Sequence, residues 1–179
     1  IHSAGIADNE LLMHMDWERF KPIYRLKVAG AWNLHLLTEK LDLDHFILFS
    51  TPLADLAPLG KANHVTGNSF LDALSYYRKN KNLPSLTIKW GPWEPRYLVI
   101  KHMIDTSLSS RLKLISINDG LRALEHLFHV NKPQIIAAQV EWPTLIRRWM
   151  KDNPLLEELA SRMDTSTIGA STMGLKAAA

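Results

Sequence analysis

Three short runs of nearly uninterrupted apolar residues, set between stretches where apolar residues recur every three to five positions, constrain this chain more than any other feature. The runs are His45-Phe46-Ile47-Leu48-Phe49-Ser50, Leu86-Thr87-Ile88-Lys89-Trp90 and residues 134–140. A strand buried on both faces reads as a continuous run, and a helical stretch between two such strands supplies the crossover of a parallel sheet. The expected class is therefore α/β, an open, doubly wound parallel sheet with helices on both faces.

The intervening segments carry helix signals. Asp16 is placed to cap a helix whose apolar positions are Phe20, Ile23, Val28, Ala31, Leu34 and Leu37. A second helix is expected over residues 62–80, with Phe70, Leu71, Leu74 and Tyr77 on one side, after a loop containing Pro52, Pro58 and Gly60. A third is expected over 119–129, capped by Ser116 or Asn118, with Leu121, Leu124, Leu127 and Phe128 apolar. Residues 1–4 read as the exit of a strand, 96–112 as less regular, and 142–150 as a short helix. From about residue 164 the chain turns to Ser, Thr, Gly and Ala, the composition of a flexible linker.

Composition removes several functions. The absence of cysteine excludes thiolate catalysis, disulfides and cysteine-ligated zinc, and the eight histidines fall in no metal-ligand spacing. The 21 basic residues are dispersed and nearly balanced by 18 acidic ones, which is not the dense stripe that nucleic acid requires. No apolar run approaches the ~18 residues that span a bilayer, and no signal peptide opens the chain. No G-x-G-x-x-G occurs, so a phosphate-cradling turn, if this sheet has one, is expected upstream of Ile1.

Five segments carry a resemblance: Ile1-His2-Ser3-Ala4-Gly5; Lys27-Val28-Ala29-Gly30-Ala31-Trp32-Asn33-Leu34-His35; Phe46-Ile47-Leu48-Phe49-Ser50-Thr51; Ala62-Asn63-His64-Val65-Thr66-Gly67-Asn68-Ser69-Phe70-Leu71-Asp72-Ala73; and Ile88-Lys89-Trp90-Gly91-Pro92-Trp93. In order and spacing they resemble the ketoreductase domains of modular polyketide synthases, a branch of the short-chain dehydrogenase/reductase superfamily. The resemblance runs from residue 1 to about 160. It implies a Rossmann-like sheet whose first βαβ half is absent, with 1–163 the C-terminal part of the ketoreductase domain and 164–179 a linker. It also implies reduction of a β-ketoacyl thioester by NADPH in the cytoplasm. The partners implied are an acyl carrier protein with its phosphopantetheine-linked acyl chain and neighbouring synthase domains. NADPH is not expected to bind this stretch alone, and a sheet lacking its first half is expected to be marginally stable or to associate through exposed edges.

Residue by residue, the resemblance implies that Lys27 matches the family lysine, Thr51 a serine hydroxyl donor with Ser50 before it, His64 the catalytic tyrosine position and Asn68 the family asparagine. Ala4 and Gly5 match a turn passing close to the cofactor, and Gly91 and Pro92 the loop against the nicotinamide. Two catalytic positions depart from the pattern. Threonine keeps the hydroxyl and adds a methyl. Histidine replaces a phenol of pKa about 10 with an imidazole near 6.5, which a neighbouring lysine pushes lower, leaving a very weak acid. An inactive or strongly impaired copy is the expectation. The stereochemical markers are altered too, with Ala7-Asp8-Asn9 where one subtype carries Leu-Asp-Asp and Leu56 where the other carries tryptophan. By position, Trp93, Tyr97 and the apolar run through Ile104 would form a substrate lid, or else a helix packed on the core, and Glu141-Trp142 reads as packing.

Overall fold

In a computed structural model of the protein, residues 1–6, 8–56, 59–94 and 112–140 are described. The three apolar runs form a parallel sheet. Strand β1 (Ile47–Ser50) pairs with β2 (Leu86–Trp90), with Phe49 opposite Ile88. On its other side β2 pairs with β4 (Gln134–Ala137), with Ile88 opposite Ile135. Residues 1–4 join the free edge of β1: His2 N–H donates to Ile47 O at 2.8 Å and Phe49 N–H to His2 O at 2.9 Å. The order across the sheet is therefore residues 1–4, β1, β2, β4, all parallel. The run over 134–140 is broken at Ala138. Its last part is β5 (Gln139–Val140), which turns away to pair antiparallel with β3 (Leu112–Lys113), an element not expected from the sequence.

The side-chain alternation of β1 divides the core between two faces. Phe46 and Leu48 pack with Ala31, Leu71 and Leu74 from helices α2 (Gly30–Thr38) and α4 (Ala62–Asn80). Ile47 packs on the opposite face with Ile88, Trp90, Ile115 and Ile135, beneath Ala123 and Leu127 of α5 (Ile117–Leu127). Helices on both faces make the sheet doubly wound, as expected. Ser116 rather than Asn118 caps α5, its hydroxyl accepting from Asp119 N–H at 3.1 Å. Leu121, expected on the apolar face of that helix, is exposed.

The first helical stretch departs from its expected phase. Asp16 does cap α1 (Trp17–Ile23), accepting from Arg19 N–H at 2.9 Å. Between α1 and α2 lies a π-helical segment, Tyr24–Ala29. Its wider turn, built on i→i+5 bonds, changes which residues face inward. The buried positions become Ile23, Lys27, Ala31 and His35, one every four residues, while Leu34 and Leu37 point to solvent. His35 instead packs against Arg78 of α4, whose guanidinium is fully buried. Arg78 bonds to His35 Nδ1 at 3.0 Å and to Pro84 O at 3.2 Å, and lies 3.8 Å above the Phe46 ring. Tyr77, expected inside, sits half out against Trp32 and His35.

Candidate functional site

The polar cluster gathers at the C-terminal ends of the strands, the end of an open α/β sheet where ligands bind. Lys27 reaches it from the π-helical segment. Position 67 on α4 is glycine, and a methyl there would come within 3.2–3.3 Å of Ile23 and the Lys27 stem, so this close helix approach needs the missing side chain. The stem therefore lies against α4, and Nζ donates to Phe49 O, just before Ser50 and Thr51, at 3.2 Å. Gly5 lies against the same side chain: a methyl on it would sit 3.8 Å from Nζ. Burial lowers the lysine's pKa to about 8, opposed by the carboxylate of Asp72.

His64 stands in the first turn of α4. Its N–H is taken by Asn63 Oδ1 at 2.7 Å, and its carbonyl accepts from Asn68 Nδ2 at 2.7 Å, one turn on. Burial, then the charges of Lys27 and Lys61, push the imidazole's pKa down to about 4, so near pH ~7 it is neutral. Asn68 is buried, and its amide is spent on the helix's own backbone. Lys27, His64, Asn68, Gly5 and residues 49–51 at the end of β1 thus come together.

Gly91 and Pro92 follow β2 at the same end of the sheet, where Gly91 packs against residues 137–138. Gly91 N–H donates to Ala137 O at 2.8 Å, and a methyl on it would meet the Ala138 side chain at 3.0 Å. Trp93 stacks edge-on against Trp90, ring centroids 4.9 Å apart, and its ring covers Gly120 so closely that a methyl there would lie 2.2 Å from the indole. Ala4 is exposed beside Gly5. The Leu56 side chain, Tyr97, the remainder of the lid segment, Ala7, Glu141-Trp142 and the 142–150 helix lie outside the described residues, as does the linker.

Sequence reasoning passed over a second layer beneath these groups. Lys89 is buried and pairs with Asp55 and Asp72. Asp72 is pushed up by burial and held back by Lys89. The Ser50 hydroxyl favours its ionised form from nearby without closing a hydrogen bond. The signal was present: a lysine inside an otherwise apolar strand needs a buried counter-charge, and Asp72 is one turn beyond Asn68. Residues 8–10 are also tied down. Arg19 pairs with Asp8 at 2.5 Å and with Glu10, and Lys61 Nζ donates to Asn9 Oδ1 at 2.6 Å. Among the described residues no carboxylate and histidine cluster suits a metal, and no helix is long and apolar enough to cross a membrane.

The histidines make folding sensitive to acid. His2, His35 and His64 all have pKa values lowered, by burial first. Between the unfolded value of 6.5 and the folded value of about 4 for His64, the unfolded chain binds more protons, so stability falls with falling pH. The loss from His64 alone is expected to reach about 3 kcal/mol below its folded pKa and to vanish above its unfolded one. Urea midpoints measured from pH ~7 to ~4 check this; a flat profile contradicts it.

The parallel sheet covered by helices on both faces, with a lysine and a helix-borne polar stripe at its C-terminal end, defines a Rossmann-like ketoreductase fold. A family model described as KR domain matches residues 1–95. The chain belongs to that family, the ketoreductases of polyketide synthases. It is 32% identical over 181 residues to the polyketide synthase GfsE of Streptomyces halstedii, an alignment covering 99% of this chain and 5% of that protein. With the mycoketide-CoA synthase of Mycobacterium tuberculosis it shares 30% identity over 166 residues, 90% of this chain and 4% of that one. Among solved structures, the first ketoreductase of the tylosin polyketide synthase superposes with a TM-score of 0.77 at 27% identity. That match covers 86% of this chain and 34% of the other. A-type ketoreductases from a modular polyketide synthase give 0.81 at 25% identity, over 90% and 36%. The chain thus spans about a third of the solved ketoreductases it matches and a small fraction of the curated synthases.

Proposed function

We propose that the chain forms part of a synthase ketoreductase that reduces a carrier-protein-bound β-ketoacyl thioester to the β-hydroxyacyl form, and that this copy is impaired. The observation that carries the reading is the convergence of Lys27, His64, Asn68, Ser50 and Thr51 at the C-terminal end of β1. NADPH, when bound, supplies the hydride. Lys27 suits the nicotinamide end of that cofactor, because its ammonium offers donors to ribose hydroxyls, and Gly5 lies beside its stem. Gly91 and Pro92 line the same sheet end. This chain has no glycine-rich turn for the pyrophosphate.

When the carbonyl carbon accepts hydride, its oxygen becomes an alkoxide that needs hydrogen-bond donors and then a proton. Thr51 offers a hydroxyl and neutral His64 one N–H. Giving up that N–H would make an imidazolate, so His64 orients the oxygen and water delivers the proton. Lys27, still mostly protonated at pH ~7, stabilises the developing charge.

The second reading is a structural module without turnover, favoured by the same neutral, acid-poor imidazole at position 64. NADPH consumption by the full-length protein, offered a short β-ketoacyl thioester, separates the two. Slow turnover abolished by Lys27→Met supports the reductase reading. No turnover in the native protein, with none gained in the His64→Tyr variant, sinks it.

A further inference from the structure

Lys89 is the single charge in β2, and it is 3% exposed. Like Thr87, whose hydroxyl donates to Leu71 O at 3.1 Å, it belongs to the face of the sheet covered by α4. Its ammonium meets both oxygens of Asp55, at 2.6 and 2.8 Å, and Asp72 Oδ2 at 3.0 Å. One ammonium therefore joins β2, the short helix α3 (Leu53–Leu56) and α4. The arrangement is poorly suited to adding stability, because taking such charges out of water offsets most of their attraction. It is well suited to fixing where things are.

The element most in need of fixing is α3. It is a single turn, entered through backbone bonds from Ala54 N–H to Thr51 O at 3.3 Å and from Asp55 N–H to Pro52 O at 3.1 Å. One turn is too short to persist unaided, since helix nucleation is unfavourable. Its position, and that of Thr51 just before it, is set by what it is tied to. On α4 the tie lands on Asp72, four residues after Asn68 and eight after His64, hence on the stripe those residues share.

We propose that Lys89 is a positioning residue: by clasping Asp55 to Asp72 it holds the Thr51-bearing turn against the α4 stripe that carries His64 and Asn68. The catalytic consequence rests on the reductase reading above; the clasp itself does not.

The test is amide hydrogen exchange in the full-length protein, read over residues 53–56 with β2 and α4 as internal references. Asp55→Ala is the informative variant, because Lys89 keeps Asp72 and no buried charge is stranded. Exchange at 53–56 is expected to rise about tenfold or more with the references unchanged, and Asp55→Glu to restore protection. In a His64→Tyr background, Asp55→Ala is expected to lower kcat about tenfold with KM little altered, since misplacing a donor by about 1 Å costs rate rather than binding. Unchanged exchange at 53–56 overturns the clasp, and so does a uniform rise that includes β2 and α4. Faster exchange with kcat intact overturns the positioning role. Faster exchange with no reduction in any variant leaves the clasp standing and removes the reductase reading instead.

Discussion

Reduction of a short β-ketoacyl thioester by the full-length protein is expected to rise about a hundredfold or more when His64 is replaced by tyrosine. A positioned general acid is worth roughly 10²–10⁴ in rate. The native imidazole supplies little of that, because burial and the charges of Lys27 and Lys61 keep it neutral and its remaining N–H is a very weak acid. The same lysine that depresses His64 would act in the useful direction on a phenol, favouring the phenolate and so bringing an acid of pKa about 10 closer to working pH. The effect should depend on Lys27: in a Lys27→Met background the tyrosine should recover much less. Steady-state kinetics on the four proteins measure this directly, and a His64→Tyr variant no faster than the native protein refutes the role given to position 64.

The second large effect lies in the sheet. Ile88 is wholly buried at the middle of the central strand, opposite Phe49 on one side and Ile135 on the other. Ile88→Ala removes side-chain volume where the two neighbouring strands and α5 leave little room to collapse, and is expected to cost about 3–4 kcal/mol. Ile136, next along β4 but 55% exposed, is its control: Ile136→Ala should stay within about 0.5 kcal/mol. Urea denaturation of the full-length protein compares them. Equal shifts for both positions would mean that the sheet does not divide its faces as described.

Much of this architecture was legible in the sequence because the strands announce themselves. A run such as Phe46-Ile47-Leu48-Phe49 has no polar face to offer solvent, so it had to lie between two layers. Helix α4 matched its expected bounds because nothing interrupts its period. The helix before β1 departs from its expected face in its C-terminal half: periodicity assumes 3.6 residues per turn, and the π-helical segment stretches the spacing to four, turning Lys27 and His35 inward and Leu34 and Leu37 outward. The broken end of the last strand and β3 were illegible, being two-residue pairings made by tertiary contact. Lys27, His64 and Asn68 were named from motif resemblance, and the fold brings them together. The Lys89 clasp is half legible: a lysine in an apolar strand calls for a buried counter-charge, but its partners are 17 and 34 residues away and only the fold makes them neighbours.

One small absence has a wider reach than its size suggests. Because Trp93 rests where Gly120 has no side chain, the indole's seat is governed by a helix that contributes no group to the polar cluster. Adding a single carbon there would lift the ring off α5 and strain its stacking on Trp90, reshaping the rim of the strand ends from behind. A substitution at that one position would therefore move Trp93 without altering any residue of the polar cluster.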